Sequence, residues 1–207
     1  QLAQNAATHD ALTGLLNQRG LDQCIVEALA RDHASDSCAI LCIDLDRFKE
    51  INDTTSYQTG NKLLIFVADF LTRLVPEGSL IARFGGDEFL ILTRLDEEGA
   101  RHLALEIVNW ANQPQTVDGK VIRFGASIGI AIGDMRDRGF DMLMADANIS
   151  LSNAKSAGRG QYCVFDEKVK AHNIKTKLLA DELRRALEDD EFEPYFQTQH
   201  SAADFSI

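Results

Sequence analysis

The sequence predicts an α/β fold in which helices flank a mixed, mostly antiparallel central sheet. Three observations support this prediction. Amphipathic helical patterns alternate with short apolar runs of strand length. Two of these runs are separated by a Gly-Gly turn, as in an antiparallel hairpin. The 207 residues are 45% hydrophobic, which is enough to bury a full core.

Apolar residues at helical spacing predict the helices, and continuous apolar runs rich in Val, Ile and Phe predict the strands. The predicted helices are 18–31, 58–75, 97–112 and 140–157, followed by a long charged helix at 166–188. The predicted strands are 38–44, the hairpin runs 80–84 and 89–92, a long strand at 121–132, and short strands at 162–165 and 191–199. Residues 47–53 are predicted to form a turn of mixed charge.

The hairpin turn is the first candidate site, because Gly85, Gly86, Asp87 and Glu88 lie between its two apolar runs. Adjacent glycines allow the positive φ that a tight hairpin turn needs, and they leave no side chain to block a ligand. Two neighbouring carboxylates repel each other unless a cation or another partner offsets their charge. The turn is therefore either a solvated acidic turn or a cation site.

Charged residues also mark the ends of two other elements. Asp44 and Asp46 follow the buried strand that begins at Cys38, and they face the same way if the strand continues. Each is either a cap for the following turn or a site residue. Lys155 and Arg159 end the helix 140–157, where cations ordinarily stabilise the helix dipole and bond the last carbonyls. Both interpretations stay open for all four residues.

The formal net charge of −11 excludes a nucleic-acid polymer as the expected partner, because such polymers bind basic surfaces. A small anionic ligand would need a metal ion or a few local cations. The four cysteines show no metal-ligand spacing, and the sequence has no signal peptide and no apolar run of about 18 residues. A cytoplasmic domain with reduced cysteines is expected, with membrane anchoring of a parent protein left open.

Five blocks of the sequence together form a recognisable series of motifs. The central block is Arg83–Phe89, which reads Arg-Phe-Gly-Gly-Asp-Glu-Phe. The others are Asp10–Asn17, Asp44–Asp53, Ala126–Ala131 and Ala154–Arg159. In order and spacing, these blocks resemble the motifs of the GGDEF domains, the diguanylate cyclases. The resemblance runs from about residue 10 to residue 165, and it implies a palm-like fold shared with nucleotide polymerases and class III nucleotide cyclases.

The resemblance implies a reaction that joins two GTP molecules into cyclic di-GMP and releases pyrophosphate, carried out by two such domains face to face. Two Mg²⁺ ions, with Mn²⁺ as an alternative, would bind Asp44, the Leu45 carbonyl, Asp87 and Glu88. Such hard oxygen ligands suit Mg²⁺. Asp87 and Glu88 would also be the catalytic carboxylates, and Asp87 would act as the base that deprotonates the attacking 3′-hydroxyl.

The resemblance also assigns GTP contacts. The backbone N–H groups of Arg47 and Phe48 would cradle phosphates, and Lys155 and Arg159 would hold the terminal phosphates. Guanine would contact two asparagines, and the glycines of the turn would border the nucleotide. These further residues are Asn52, Asn61, Gly85 and Gly86.

Several positions depart from the family pattern. Asn61 replaces an aspartate that would accept from two guanine donors, and an asparagine offers only one acceptor oxygen. That change is expected to cost about 1–3 kcal/mol of affinity or purine discrimination. Ser56-Tyr57 replace Gly-His. Pro76 and Ser79 stand where an inhibitory product site needs Arg and Asp, so no such product inhibition is expected.

The resulting interpretation divides the chain into an upstream helix or linker (1–9), a GGDEF domain (10–165), a connecting helix (166–190) and a truncated start (191–207) of a domain similar to the EAL phosphodiesterases. The expected function is a diguanylate cyclase. The alternative is a GTP-binding regulatory module that controls an EAL phosphodiesterase attached in cis. The tandem arrangement and the departures at Asn61 and Ser56-Tyr57 favour the alternative, whereas the retained acids favour the enzyme.

Overall fold

The computed structural model describes residues 7–30 and 37–166, together with residues 179, 182–183, 185–189, 191–193 and 195. The chain divides into two compact units, 1–170 and 171–207. In the second unit, residues 179, 182–183 and 185–188 are helical, as predicted. Residues 191–193 and 195 belong to no strand, contrary to prediction, and the rest of the predicted strand 191–199 lies outside the described residues.

The first unit contains six helices and seven strands among its described residues that are long enough to label. The helices are α1 (Gln18–Leu29), α2 (Phe48–Thr54), α3 (Tyr57–Leu74), α4 (Glu97–Ala111), α5 (Met135–Arg138) and α6 (Phe140–Ser156). The strands are β1 (Ser37–Asp46), β2 (Leu80–Gly85), β3 (Glu88–Thr93), β4 (Gln115–Val117), β5 (Lys120–Ile122), β6 (Gly125–Asp134) and β7 (Tyr162–Val164).

Five of the strands form the central sheet, in the order β2-β3-β1-β6-β7. All neighbours are antiparallel except β6 and β7, which run parallel. The predicted mixed, mostly antiparallel sheet with flanking helices is therefore confirmed. Strand β1 occupies the centre and is buried from Cys38 to Asp46, as expected of an apolar run covered on both faces.

The sheet separates two hydrophobic clusters, because alternate residues of a strand point to opposite faces. The odd-numbered residues of β1 from Ala39 to Leu45 pack in the cluster that includes α3 and α4. The even-numbered residues Cys38, Ile40 and Cys42 pack in the cluster with α1 and α6. Asp44 and Asp46 continue this even-numbered row, so the strand presents both carboxylates on the α1–α6 face at its end.

Two further local predictions were wrong. Residues 48–53, predicted to lie in a turn, belong to helix α2, because Arg47 takes a left-handed conformation (φ 57°, ψ 29°) and turns the chain directly into a helix. The predicted long strand 121–132 is interrupted, because Lys120–Ile122 pairs with β4 in a small separate hairpin. Asp118-Gly119, both at positive φ, form the turn of that hairpin, which is a known signal of such turns.

Candidate functional site

The acids of the hairpin and of β1 lie side by side at one end of the sheet. Asp44 and Glu88 are directly opposite each other in the β1–β3 pairing, so their side chains share a face about 5 Å apart at Cβ. The Leu45 N–H donates to the Asp87 carbonyl at 3.2 Å, which ties the hairpin turn to the same strand end. The fold thus brings together Asp44, Leu45, Asp87 and Glu88, the residues that were predicted to bind metal.

The glycines of the turn are required by the backbone rather than by packing. Gly85 and Gly86 have φ values of 122° and 54°, which side-chain-bearing residues rarely adopt. A Cβ added to either glycine would meet nothing within 4 Å. The space beside the turn is therefore open, in agreement with the expectation that no side chain blocks a ligand there.

Arg83 fixes this turn to the N-terminal segment. Its Nε and Nη2 atoms donate to the Gly86 carbonyl at 3.2 and 2.7 Å, and its Nη1 atom donates to Asp10 Oδ1 at 2.8 Å. Asp10 also accepts from the backbone N–H and the hydroxyl of Thr13, at 2.9 and 2.6 Å. Arg83 is only 8% exposed, and each of its three guanidinium nitrogens donates a hydrogen bond. This buried cation therefore holds the Gly86 carbonyl, next to Asp87.

The segment that carries Asp10 also pairs with strand β2. The Leu16 N–H donates to the Ile81 carbonyl at 3.2 Å, and the Arg83 N–H donates to the Leu16 carbonyl at 2.8 Å. The first recognised motif, residues 10–17, is therefore a loop that is attached to the edge strand β2 through Leu16.

The Asp10–Arg83 contact predicts a pH-dependent contribution to stability. Burial of Asp10 opposes its ionisation, but the hydrogen bonds from Thr13 and Arg83 outweigh burial and hold the pKa of Asp10 below its ordinary value. A carboxyl of this kind stabilises the fold above its ordinary pKa, and the stabilisation is lost as the pH falls through the lower, folded value.

We therefore expect Asp10→Asn to lower the free energy of unfolding by about 1–3 kcal/mol at neutral pH. The difference from wild type should shrink as the pH falls below about 3.9, the ordinary pKa of an aspartate, because the carboxyl of the unfolded chain then protonates before that of the folded protein. Urea unfolding at neutral pH and in this acidic range measures both differences. A penalty that is the same at both would show that the charge of Asp10 is irrelevant.

Asp44 is buried and paired with Lys155. Its side chain is 12% exposed, and the Lys155 ammonium lies 2.6 Å from Asp44 Oδ2. Burial raises the pKa of the Asp44 carboxyl above its ordinary value, Lys155 opposes the rise, and the negative charges of Asp87 and Asp46 add to it. Lys155 therefore interacts with an acid of the candidate site, and its interpretation as a simple helix-end cation is insufficient.

The donor set fits a cation that binds together with a phosphorylated ligand. Within residues 7–30 and 37–166, no group of three or more His, Cys, Asp or Glu side chains is arranged to hold a metal on its own. Mg²⁺ commonly takes only one or two protein carboxylates and completes its octahedron with water and substrate phosphates. The opposed pair Asp44 and Glu88, with Asp87 beside them, supplies hard oxygens of this kind.

Asp46 has a different role from Asp44. Its Oδ1 atom accepts from the Ser127 hydroxyl at 2.7 Å, and its Oδ2 atom accepts from the Gly160 N–H at 2.9 Å. Helix α2, which follows, has no side-chain cap at Arg47. Asp46 is therefore neither a turn cap nor an open ligand, because both of its oxygens are bonded within the protein.

A groove of about 580 Å³ lies between α2 and the loop that follows α6, and the carboxylates of Asp46 and Glu50 are part of its lining. Three arginines line it, two of which were predicted to contact GTP, Arg47 and Arg159. Arg123, just before β6, is the third and was not predicted. A groove with several arginines favours an anionic ligand, in keeping with phosphate recognition.

The two predicted guanine contacts are neighbours across helices α2 and α3. A Cβ on Gly60 would lie 1.9 Å from Asn52 Oδ1 and 3.2 Å from the Phe48 ring, so the Asn52 amide rests on the backbone of α3 next to Asn61. Asn52 Oδ1 is buried without a hydrogen-bond partner within the described part of the chain. A buried acceptor of this kind costs about 1–3 kcal/mol unless a donor reaches it.

Pro76 and Ser79 lie at the other end of β2. The Ser79 hydroxyl donates to the Thr93 hydroxyl at 3.0 Å, and both Pro76 and Ser79 line a second cavity of about 660 Å³ beside α1. The absence of product inhibition stays a prediction.

Sequence reasoning missed the supporting residues of the site. Arg83, Asp10 and Ser127 lie inside the recognised blocks, but nothing in their local sequence indicates that they hold other parts of the site. Arg123 and Asn112 lie outside the blocks, and only the tertiary structure brings them to the groove.

An acidic sheet end, together with an arginine-lined groove that Asp46 of the same strand borders, is a combination expected of a domain that binds a phosphorylated ligand with a divalent cation. Residues 7–161 match the family model described as diguanylate cyclase, GGDEF domain. The chain belongs to the GGDEF domain family.

Curated relatives agree with this assignment. The chain is 36% identical over 205 residues to an uncharacterized signaling protein of Caulobacter vibrioides, and 37% identical over 195 residues to MucR of Pseudomonas aeruginosa, a bifunctional diguanylate cyclase/cyclic di-GMP phosphodiesterase. These matches cover 97% and 92% of this chain but only 25% and 28% of the relatives. The chain thus spans about a quarter of the length of the relatives.

Solved structures confirm the fold. The GGDEF domain of TpbB (YfiN) from Pseudomonas aeruginosa matches with a TM-score of 0.70 at 30% identity, and the match covers 79% of this chain and 97% of that one. A sensory box/GGDEF family protein from Caulobacter crescentus matches with a TM-score of 0.60 at 36% identity, over 73% and 99% of the two chains. In the described part of the chain, no helix is both long and apolar enough to span a membrane.

Proposed function

We propose that this domain is a diguanylate cyclase, which joins two GTP molecules into cyclic di-GMP with release of pyrophosphate. The observation that carries the proposal is the convergence of Asp44, Asp87 and Glu88 at one sheet end, with Lys155 on Asp44. The arginine-lined groove is bordered by Asp46, two residues beyond Asp44 on the same strand, and its volume offers room for a triphosphate.

In this proposal the acids would bind Mg²⁺ together with GTP. Asp44, Glu88 and Asp87 would supply carboxylate oxygens, and the Leu45 carbonyl would supply another oxygen. When bound, the ions neutralise phosphate charge and lower the pKa of the attacking hydroxyl. When GTP binds, Lys155 leaves the Asp44 carboxylate and binds the terminal phosphates instead. Arg159 binds the same phosphates from the groove.

The remaining residues orient the nucleotide. The backbone N–H groups of Arg47 and Phe48 face the phosphates, and Gly85 and Gly86 leave space beside them. The Asn52 amide would turn from Gly60 toward the base so that its unpartnered Oδ1 accepts a guanine N–H, which would remove the cost of burying that oxygen. Asp87 takes the proton of the 3′-hydroxyl, which attacks the α-phosphorus of the second GTP in line as pyrophosphate leaves.

Incubation of the purified protein with GTP and Mg²⁺, followed by chromatography for cyclic di-GMP and pyrophosphate, tests the proposal. We expect both products in a ratio of one cyclic dinucleotide to two pyrophosphates. GTP that binds but yields neither product would reject the cyclase and support the second candidate.

The second candidate is a GTP-binding regulatory domain that controls an attached EAL phosphodiesterase. Asn61 favours it, because loss of one guanine acceptor weakens the substrate contact. Similarity to NbdA of Pseudomonas aeruginosa, a cyclic di-GMP phosphodiesterase, also supports it, at 28% identity over 203 residues, 97% of this chain. An alignment of that length extends past residue 165, into the segment that resembles the start of an EAL domain.

The cyclase proposal predicts a nonlinear dependence of rate on protein concentration. The acids predicted to bind metal meet at a single place in the described part of the chain, so one domain is expected to bind one GTP and two domains must meet. Initial rate at saturating GTP should rise faster than linearly at low protein concentration and become linear once dimers predominate. Measuring the rate over a dilution series tests this, and strict linearity at every concentration would contradict a reversible dimer.

A further inference from the structure

The loop after α6 holds Arg159 in an unfavourable backbone conformation. Arg159 has φ 64°, in the left-handed region, and the neighbouring Gly160 has φ 59°. Residues with a side chain adopt this region only where the surrounding structure holds them there. The loop that carries Arg159 into the groove must therefore be fixed by contacts from other elements.

Gly160 supplies those contacts through both of its backbone polar groups. Its N–H donates to Asp46 Oδ2 at 2.9 Å, and its carbonyl accepts from Asn112 Nδ2 at 3.2 Å. Asp46 is 7% exposed, and its other oxygen is bonded to the Ser127 hydroxyl at 2.7 Å. The end of β1 and the end of α4 thus hold the loop from two sides.

The space around this contact is tightly filled. A Cβ on Gly125 would lie 2.9 Å from Asp46 Oδ2 and 3.2 Å from Asn112 Oδ1, and a Cβ on Gly160 would lie 3.1 Å from Asn112 Oδ1. Glycine at both positions lets the carboxylate and the amide reach the loop backbone. The Asp46 carboxylate therefore has little freedom to move without moving Gly160.

We infer that Asp46 is a positioning residue, which fixes Gly160 and thereby sets the direction in which Arg159 enters the groove. The inference rests on the proposed function, in which Arg159 binds the terminal phosphates of GTP. It gives the second acid of the Asp44-Leu-Asp46 motif a role distinct from that of the first. Asp44 faces the cation, whereas Asp46 acts on the phosphates through the loop.

The test compares Asp46→Asn with wild type in calorimetric titrations of the full chain with Mg²⁺ and either a non-hydrolysable GTP analogue or GMP. The introduced amide has a single acceptor oxygen, so it cannot accept from both the Ser127 hydroxyl and the Gly160 N–H as the carboxylate does, and it lacks the negative charge that strengthens both bonds. We expect the GTP analogue to bind about tenfold more weakly and GMP, which lacks the terminal phosphates, to change less than about twofold.

A double-mutant cycle with Arg159→Ala separates positioning from general destabilisation. If Asp46 acts through Arg159, adding Asp46→Asn to Arg159→Ala should weaken binding of the GTP analogue no further. Additive losses, or an equal loss for GMP, would overturn the inference. Ser127→Ala is the matched control, because it removes a bond of Asp46 without touching Gly160, and it should leave binding of the analogue nearly unchanged.

Asn112→Ala tests the same loop should Asp46→Asn fail to fold, since Asn112 is exposed and holds the Gly160 carbonyl. This variant should weaken binding of the GTP analogue by about threefold to tenfold and change binding of GMP much less. Normal binding by this variant would overturn the inference in that case. Failure of the wild-type chain to bind the analogue would reject the proposed function and the inference together, whereas normal binding by both variants would reject the inference alone.

Discussion

Replacing Asp87 and Glu88 together with alanine is expected to abolish Mg²⁺-dependent binding of GTP, with a loss of roughly 100-fold or more in affinity. Substituting a residue that only hydrogen-bonds to a metal ligand already lowers metal affinity by about 10- to 100-fold. Asp87 and Glu88 are proposed to be ligands themselves, so their loss should cost at least as much. Both lie at an exposed or half-exposed hairpin turn, so the fold should remain intact. Calorimetry with a non-hydrolysable GTP analogue, in Mg²⁺ and in EDTA, measures the effect.

The matched control for this double variant is Asp22→Ala with Glu27→Ala, which removes the same charge from the exposed surface of α1. It should bind the analogue as wild type does. Unchanged affinity in the Asp87→Ala, Glu88→Ala protein would eliminate the proposed metal site, and with it both the cyclase and the GTP-sensor proposals.

The substitution Asn61→Asp is expected to strengthen GTP binding by about 5- to 150-fold, corresponding to about 1–3 kcal/mol. An aspartate can accept from guanine N1–H and N2–H₂ together, whereas asparagine presents an NH₂ donor to one of those donors. Asn61 lies beside Gly60, on which the Asn52 amide rests, so both residues can reach one base. Titration of wild type and variant with a GTP analogue measures the gain.

Two controls separate recognition of guanine from a simple change of charge. Gln58→Glu makes the same amide-to-acid change one turn earlier on α3, at an exposed position, and should not strengthen binding. An inosine triphosphate analogue lacks the 2-amino group, so it should gain less from Asn61→Asp than the guanosine analogue does. An equal gain in affinity for both nucleotides would show that residue 61 does not contact the 2-amino group of guanine.

The sequence predicted those features that depend on local pattern. Strand β1 follows from its continuous apolar run, and the hairpin follows from Gly85 and Gly86, whose positive φ values the structure confirms. Helices α3 and α4 lie within a residue or so of the predicted ranges, because their apolar residues recur at helical spacing and an N-cap side chain starts each.

Features that depend on one unusual residue or on distant contacts were missed. Helix α2 begins because Arg47 adopts a left-handed conformation, which its side chain does not indicate. The β4–β5 hairpin was overlooked although Asp118-Gly119 is a turn signal, because the apolar residues on either side of Phe124 suggested one continuous strand. The partners of Asp46 come from β6 and from the loop after α6, and no local pattern identifies them.

The buried Arg83 links the start of the chain to the acids by a short route. Its guanidinium bonds both Asp10 and the carbonyl that precedes Asp87, so residues 10–17 cannot shift relative to β2 without breaking these bonds or displacing the turn. A displacement of residues 10–17 is therefore expected to reach the hairpin acids through a single side chain of the edge strand β2.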